Sequence, residues 1–379
     1  MHRWVAESAV EIARRSEREL EALVAISSPS GDRQGAEECA SICALLVPEE
    51  AELVRLPCSS PSHAPDLVAR LSGTGRRRIL LLGHLDTVIP HADHRPLERD
   101  DGKLVGSGTV DMKGGVVLAL GVLRALTGRR GDFAEATLLL VCDEEWRTAP
   151  FAHVDRFAGW DACLCFEAGE RTAEGCEGVV VRRKAAGTVK VTARGRAAHS
   201  GSAPERGRNA LLALAAAAQA VAARQDPDGP SRLTAVPTIL RAGEAFNVVP
   251  DAGTLHCDVR ADDLDAIRAV VQAVPGEVGG AALVTEMVRL WPGMDAEEAT
   301  MPLLAGAGAA LGRPVTGVRR GGASDASHFA TAIAVTVDGL GPRGGLAHNP
   351  GEFVLAEALH QRAQVALAVT DAALRLPAD

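Results

Sequence analysis

The sequence has 379 residues, which is too long for one simple hydrophobic core and favours two domains. Hydrophobic residues make up 47% of the chain and charged residues 23%, values that are typical of a soluble globular protein. The net charge of −9 at pH 7 argues against nucleic acid and against an anionic membrane as partners. Tyrosine is absent, so no tyrosine can serve as a catalytic acid or as an oxyanion donor.

The N-terminal segment, residues 1–26, is predicted to be an amphipathic helix and contains no apolar run long enough for a signal peptide. The most apolar stretch, residues 210–223, is mostly alanine and too short to span a bilayer. The eight cysteines form no CxxC pair, and several lie within apolar segments, which favours buried thiols in a reducing compartment. These features predict a cytoplasmic protein that does not enter a membrane.

Apolar strands and helices alternate in the first and last parts of the chain. Continuous apolar runs predict buried strands at residues 76–82, 136–141, 161–166 and 333–337. A helix is predicted at 112–126. Strands that are apolar throughout and are separated by helices indicate a mostly parallel sheet covered on both faces, as in the α/β class.

The pattern changes near residue 179. Residues 188–194 alternate apolar and polar side chains, as an antiparallel strand with one exposed face does. A helix at 209–224, two strands and a helix at 262–274, capped by Asp262 or Asp263, are predicted to follow. We therefore predict an α/β domain formed by residues 1–179 and 294–379, with an α+β module inserted at 180–293.

Acidic and imidazole side chains follow each predicted strand of the α/β domain. They are His84 and Asp86, then Glu144 and Glu145, then Glu167, then His348, with Asp111 just before the helix at 112–126. Ligand sites in open α/β sheets form at the carboxyl ends of the strands, so we expect these side chains to converge. Imidazole and carboxylate groups without thiolate suit zinc. Two metals bridged by one carboxylate could hold a hydroxide, with one further carboxylate as the general base.

Each of these residues alone has a simpler explanation. A single histidine after a strand is usually a hydrogen-bonded loop residue, and a Glu-Glu pair is usually a solvated surface. The glycine-rich stretches at 106–115 and 321–325 fit plain turns or, weakly, a phosphate loop, but no complete nucleotide-binding motif is present. An acid or imidazole after every buried strand of one chain favours the metal site.

The motifs resemble a known family in their order along nearly the whole chain. They are HLDTV, GSGTVDMKGG, DEE, FEAGE, GRAAHSG, FNVVPDAGTLHCDVR, GGASDA and GGLAHNPGE. The set resembles the two-zinc metallopeptidases that include glutamate carboxypeptidase, acetylornithine deacetylase and succinyl-diaminopimelate desuccinylase. The resemblance implies a zinc-peptidase fold, two Zn²⁺ ions per chain that Co²⁺ or Mn²⁺ can replace, and a homodimer formed through the module at 180–293. It also implies hydrolysis of an amide bond adjacent to a free carboxylate, in a small peptide or N-acyl amino acid.

The resemblance also implies a role for each residue of the metal site. The ligands are Asp111 as the bridge, His84 and Glu167 at one ion, and Glu145 and His348 at the other. Glu144 is the expected general base, and Asp86 is expected to hold the ring of His84. A cis peptide is expected between Asp111 and Met112.

Residues of the inserted module and of the second glycine-rich stretch have counterparts in the family that contact substrate. They are Asn247 and Arg260, which bind carbonyl and carboxylate groups, and Gly321 and Gly322 of a carboxylate-binding loop. His199 is implied to reach across a dimer interface to the oxyanion of the other subunit, although by itself it fits a surface loop. Ser324 and Asp325 could cap the following helix or contact substrate.

Three segments depart from the family pattern. WRTAP follows the Glu-Glu pair in place of a small glycine-containing turn, Ala168 replaces a proline, and Trp291-Pro292 replaces the Arg-Pro of glutamate-specific members. Trp146, Arg147 and Trp291 are therefore candidate pocket residues. We predict carboxypeptidase-like release of a C-terminal amino acid. The alternatives are an acetyl- or succinyl-type N-acyl-amino-acid deacylase and, in another class, an inactive ligand-binding homologue, which loss of Glu144 or of a ligand would indicate.

Overall fold

The structure, a computed structural model, describes residues 1–377. The chain divides into two compact units. Unit 1 comprises Met1–Arg182, Asp295–Arg319 and the segment from Ser324 onward, and unit 2 comprises Arg183–Met294 and Arg320–Ala323. Within the described range, no helix is both long enough and apolar enough to cross a membrane.

The elements are numbered in chain order. The first part contains α1 (Arg3–Val24), α2 (Arg33–Leu46), β1 (Glu52–Leu56), β2 (Asp66–Ser72), β3 (Arg77–His84), β4 (Glu98–Asp100), β5 (Lys103–Val105), α3 (Gly114–Leu126), β6 (Phe133–Val141), β7 (Ala162–Cys165), β8 (Glu170–Arg171) and β9 (Glu177–Arg183). The middle part contains β10 (Ala185–Arg194), α4 (Ala210–Ala222), β11 (Thr234–Ala242), β12 (Ala252–Ala261), α5 (Leu264–Ala273), β13 (Glu277–Val278) and β14 (Ala281–Trp291). The last part contains β15 (Met294–Asp295), α6 (Glu297–Leu311), β16 (Val315–Arg320), α7 (Ala326–Phe329), β17 (Thr336–Val337), β18 (Gly344–Gly345), β19 (Phe353–Leu355) and α8 (Ala356–Leu374). Short 3-10 or π turns lie at His91–Asp93, Thr109–Lys113, Thr127–Arg129, Val154–Phe157 and Pro204–Arg206.

The main sheet of unit 1 has the strand order β1-β2-β6-β3-β7-β17. Strand β3 runs parallel to both β6 and β7, and β7 runs parallel to β17. The predicted α/β class is confirmed. Strands β1 and β2 form an antiparallel edge that the sequence pattern did not predict. The central strands are buried because their side chains are apolar on both faces, and helices α1, α3 and α8 pack together beside them.

Two predicted elements of unit 1 are shorter in the structure. Helix α3 begins at Gly114 because Asp111 and Met112 have non-helical backbone angles. Strand β17 contains Thr336 and Val337 only. His348 does not extend from that strand but follows β18, in a separate sheet of order β18-β19-β5-β4.

Unit 2 contains an antiparallel sheet of order β11-β12-β10-β14-β13, on which α4 and α5 pack. Strand β10 alternates buried and half-buried residues, so one face carries the core of this unit. Asn209 caps α4 by accepting the backbone N–H of Leu212 at 3.1 Å. Asp263, and not Asp262, caps α5 by accepting the N–H of Ala266 at 2.8 Å. Strand β11 is an edge, and its exposed apolar side chains are those of Val236, Ile239 and Leu240.

Candidate metal centre

The register of the parallel strands brings three chain segments to one edge of the main sheet. His84 at the end of β3 pairs with Val141 at the end of β6, and Leu82 of β3 pairs with Cys165 at the end of β7. The side chains that end or follow these strands are His84 and Asp86, Glu144 and Glu145, and Glu167. The carboxyl ends of parallel strands therefore bring together the residues that the sequence predicted.

Asp111 reaches the same edge because the start of α3 packs closely against Phe166, the residue that follows β7. A Cβ atom at Gly115 would lie 1.8 Å from the carbonyl oxygen of Phe166, so only glycine allows this approach. The peptide between Asp111 and Met112 is cis.

The carboxylate of Glu352 holds the backbone of this turn, a role that the sequence analysis did not assign. Its Oε1 accepts the N–H groups of Val110 at 2.6 Å and Asp111 at 2.7 Å, and its Oε2 accepts that of Gly108 at 3.0 Å. Glu352 is 1% exposed, and burial raises the pKa of its carboxyl to about 7. The available signal was its position at the end of the motif GGLAHNPGE.

Asp111 stands between two groups of side chains. Its Oδ1 lies 3.1 Å from Nε2 of His84, which in turn lies 3.6 Å from Oε1 of Glu167. Its Oδ2 lies 3.0 Å from Nε2 of His348, which lies 3.4 Å from Oε2 of Glu145. Within each group the ligand atoms all lie within 4.8 Å of one another. One carboxylate thus offers one oxygen to each group, as a bridging ligand does.

Asp86 contacts both sides of the centre. Its backbone oxygen lies 2.9 Å from Nδ1 of His84 and its Oδ1 lies 3.4 Å from the same atom. Its carboxylate also accepts the backbone N–H groups of Glu144 and Glu145, each at 3.1 Å. Asp86 therefore orients the acid pair as well as the histidine ring, and the ring's nearest acceptor is the main chain of Asp86.

The charges of the centre hold protons on its histidines. Bonds from Asp111 and Glu145 raise the pKa of His348 to about 10. Burial alone would lower the pKa of His84, but its bonds with Asp111 and Asp86 outweigh burial and raise it. Burial raises the pKa of Asp111, yet its bonds with His348 and His84 lower it overall. Because metal ligands bind in deprotonated form, a cation that binds here displaces these protons.

The chemistry of the donor set fits a divalent metal. The five side chains offer imidazole nitrogen and carboxylate oxygen and no thiolate, which suits zinc. Oε1 of Glu145 is buried and has no hydrogen-bond partner among the described residues. A buried carboxylate oxygen without a donor is costly unless a cation or a proton compensates it.

Glu144 lies beside the ligands but belongs to neither group. Its side chain is buried, and burial raises the pKa of its carboxyl well above the usual value, with further contributions from Glu145, Asp325 and Glu167. A buried carboxylate with a raised pKa suits proton transfer near neutral pH.

Ser324 and Asp325 do not cap helix α7 through their side chains. Oγ of Ser324 donates to Oδ2 of Asp338 at 2.6 Å, and the carboxylate of Asp325 pairs with Arg147. Of the two alternatives, the helix cap is contradicted, because buried charged groups close by bind both side chains.

The other predicted substrate residues lie in unit 2. Oδ2 of Asp258 accepts from Nε of Arg260 at 2.9 Å, and the carbonyl oxygen of Gly321 accepts from the same guanidinium at 3.2 Å. The carbonyl oxygen of Gly322 accepts from Arg183 at 2.7 Å. Asn247 is exposed, and its carbonyl oxygen accepts the N–H of Ser200 at 3.0 Å.

His199 is an exposed residue of unit 2 with a defined ring orientation. Its Nδ1 accepts the backbone N–H groups of Gly201 at 3.1 Å and Ser202 at 3.2 Å. This network assigns the proton of the neutral ring to Nε2, which is left as a donor. Of the candidate pocket residues, Trp291 is buried in unit 2, whereas Trp146 of unit 1 is 72% exposed.

Comparison with known proteins decides the family. Residues 80–372 of the chain match the sequence model of peptidase family M20/M25/M40. The chain belongs to this family. It is 28% identical to carboxypeptidase G2 of Pseudomonas sp. over 92% of this chain and 86% of that protein. It is 30% identical to succinyl-diaminopimelate desuccinylase of Gluconacetobacter diazotrophicus over 74% of this chain and 77% of that protein.

A solved tripeptidase from Staphylococcus aureus shares the fold of this M20 chain. The TM-score is 0.78 at 21% identity, over 96% of this chain and 99% of that one. The resemblance inferred from the motifs is confirmed. The M20 chain is a metal-dependent hydrolase that acts on amide bonds.

Proposed function

We propose that this M20 chain is a two-zinc hydrolase that releases the C-terminal amino acid from a small peptide or an N-acyl amino acid. The observation that carries the proposal is the carboxylate of Asp111, whose two oxygens lie 3.1 Å and 3.0 Å from the histidines of two separate ligand groups. His84 and Glu167 would hold one ion, and Glu145 and His348 the other. Zinc held by these residues would supply Lewis acidity for an attacking water and for the scissile carbonyl.

Glu144 is proposed as the general base of the reaction. Its carboxylate takes a proton from the attacking water and returns it to the amine that leaves. Asp86 supports this role, because its carboxylate accepts the main-chain N–H groups of both Glu144 and Glu145 and fixes the two acids together. One acid of the pair then binds metal while the other moves the proton.

The substrate class rests on the relatives. Similarity to a protein named carboxypeptidase over 92% of this chain favours cleavage beside a free carboxylate. Arg260, which pairs with Asp258 and is half-buried like its partner, can exchange that partner for a substrate carboxylate. The second candidate is an N-acyl-amino-acid deacylase, which the desuccinylase relatives favour. Both candidates use the same metal centre and differ in the acyl group.

We further propose that unit 2 is the dimerisation domain and that the enzyme is a cytoplasmic homodimer. The exposed edge strand β11 can pair with another strand, and its apolar side chains would be covered by such pairing. His199 of the partner subunit would then donate a hydrogen bond from its Nε2–H to the oxyanion of the tetrahedral intermediate. The described cysteines are all free thiols, which agrees with a reducing compartment.

A substrate screen tests the proposal. Purified enzyme loaded with zinc, cobalt or manganese is incubated with dipeptides and with acetyl- and succinyl-amino acids, and released amine is measured. We expect hydrolysis of compounds with a free carboxylate and none of their amides. Glu144→Gln protein with unchanged metal content serves as the control. Equal hydrolysis by this variant would refute the assignment of the base, and hydrolysis of the amides would refute the carboxylate requirement.

A further inference from the structure

A buried cluster of charged side chains, formed by Arg147, Asp143 and Asp325, adjoins the acid pair Glu144–Glu145 in unit 1. Nε and one terminal nitrogen of Arg147 donate to Oδ1 of Asp143 at 3.1 Å and 2.9 Å. Its two terminal nitrogens also donate to the two oxygens of Asp325, at 2.6 Å and 2.9 Å. The side chains of Arg147, Asp143 and Asp325 are 3%, 0% and 4% exposed. The guanidinium also lies 4.4 Å from the ring centroid of Phe151.

Two residues of the cluster lie on either side of the acid pair in the sequence. Asp143 immediately precedes Glu144, and Arg147 follows Glu145 by two residues. These residues form a turn and no helix, and the ion pair between the side chains at positions 143 and 147 joins the two ends of this turn. Oδ2 of Asp143 also accepts the N–H of Ser60 at 2.9 Å, which fixes the other side of the loop.

Arg147 also fixes the loop to helix α7, because it binds both oxygens of Asp325 in a bidentate contact and Asp325 immediately precedes that helix. Such a contact sets the orientation of both partners and not only their distance. The loop follows β6, whereas α7 lies between β16 and β17, so the guanidinium joins two segments that are far apart in the chain.

We propose that Arg147 is a positioning residue, which holds the Glu144–Glu145 loop against helix α7 and thereby fixes the general base at the metal centre. This inference rests on the proposed role of Glu144. Arg147 does not touch the substrate in this proposal. A small displacement of a base relative to its reacting water lowers the rate while leaving ground-state binding almost unchanged.

The neighbouring Trp146 does not anchor the loop by packing. Its side chain is 72% exposed, while the adjacent Arg147 is 8% exposed and Asp143 is fully buried. The exposed indole therefore contributes little packing to this loop, whose buried contacts include the charged cluster.

Three variants test the proposal against a matched control. Arg147→Met removes the charge and keeps the length, Arg147→Lys keeps the charge without the planar fork, and Arg147→Met with Asp325→Asn reduces the charge left uncompensated. The control is Arg129→Met, which breaks another largely buried pair of unit 1, that of Arg129 with Asp371. Zinc content, kcat, KM and urea unfolding are measured for each protein.

We expect Arg147→Met to keep its zinc and to lose about 10²-fold in kcat, the scale of a misplaced catalytic group. Its KM should stay within about threefold of wild type, because ground-state binding is not changed. Arg147→Lys should recover part of kcat. Arg129→Met should lose stability without a comparable loss of kcat. A wild-type kcat in Arg147→Met would overturn the proposal. So would the same ratio of kcat loss to loss of unfolding free energy in Arg129→Met as in Arg147→Met.

A separate readout covers the case in which the wild-type enzyme hydrolyses none of the screened compounds. Hydrogen exchange of residues 143–147 is then compared between wild type, Arg147→Lys and Arg129→Met. Faster exchange confined to this loop in Arg147→Lys supports the positioning role, although the proposed function has failed. Unchanged exchange refutes the positioning role by itself. If Arg147→Met does not fold, the lysine and double variants decide by the same measurements.

Discussion

Replacing Glu352 with alanine removes the acceptor for three backbone N–H groups in the turn that carries Asp111. The bonds measure 3.0, 2.6 and 2.7 Å, and the carboxylate is 1% exposed, so water cannot readily replace it. A buried donor left without a partner costs about 1–3 kcal/mol, which gives a gross loss of about 3–9 kcal/mol for three donors.

Part of that loss is offset because the buried charge is itself unfavourable. Burial raises the pKa of Glu352 from its usual 4.5 to about 7. At about 1.4 kcal/mol per pKa unit, removal of this carboxylate above pH 7 returns about 3 kcal/mol. We therefore expect Glu352→Ala to lower the free energy of unfolding by about 3 kcal/mol, near the middle of the remaining range.

Glu352→Gln provides the informative contrast. Its single carbonyl oxygen can occupy the place of Oε1 and accept from both Val110 and Asp111, so only the bond to Gly108 is lost. Relief of the buried charge offsets that loss, and stability should stay within about 1 kcal/mol of wild type. Glu357→Ala, at an exposed position of α8, should change stability by less than about 0.5 kcal/mol.

The assay is urea denaturation of the metal-free proteins at pH 8, followed by tryptophan fluorescence. Three of the four tryptophans, Trp4, Trp146 and Trp160, lie in unit 1, so the signal reports mainly on that unit. Zinc affinity is measured in parallel and should fall in Glu352→Ala, because Asp111 is no longer held. A loss below about 1 kcal/mol in Glu352→Ala, or equal losses in the alanine and glutamine variants, would refute this reasoning.

Four further outcomes are expected. Glu144→Gln should keep its metal and lose about 10²–10⁴-fold in activity, measured as released amine, and near-normal turnover would exclude it as the base. Asp111→Asn should bind less metal per chain after dialysis, measured by elemental analysis, whereas two retained ions would exclude it as the bridge. His199→Ala subunits should be inactive alone and should regain activity when they are mixed with Glu144→Ala subunits. Each mixed dimer should have about half the activity of a wild-type dimer, since one of its two sites is then complete. Subunit exchange that is confirmed but restores no activity would contradict the cross-subunit role. For Asp371, burial alone would raise the pKa, but the bond from Arg129 outweighs it and lowers the pKa, so its contribution to stability is lost as pH falls through the folded value. The stability difference between wild type and Arg129→Met should therefore shrink below about pH 4, in urea titrations across pH, and a constant difference would count against the pair.

The parts of the centre that the sequence predicted are those fixed by local pattern. His84, Glu145 and Glu167 end or follow apolar strands, and parallel strands must bring their ends to one edge. The expected cis peptide after Asp111 is also present, at the position that the motif resemblance implied. These features need only strand identity and motif order.

Other parts depend on contacts between residues far apart in the chain. Glu352 binds backbone groups 241 to 244 positions earlier, and Arg147 binds Asp325 across 178 positions. No periodicity or spacing encodes which distant donor a buried carboxylate meets, so the sequence left a helix cap open as one alternative for Asp325, where the structure has an ion pair with Arg147. His348 likewise comes from a loop of a separate small sheet, with a left-handed backbone angle, and not from the end of a parallel strand.

The two ligand groups differ in when the growing chain can complete them. His84, Asp111 and Glu167 all precede unit 2 in the sequence. The other group is complete only when His348 has been synthesised, after the whole of unit 2. During synthesis from the N-terminus, one set of ligands is therefore available while the remaining ligand has not yet been made. A chain truncated before residue 348 would keep four of the five ligands and lack only His348, so the group of His84, Asp111 and Glu167 alone would have its full set.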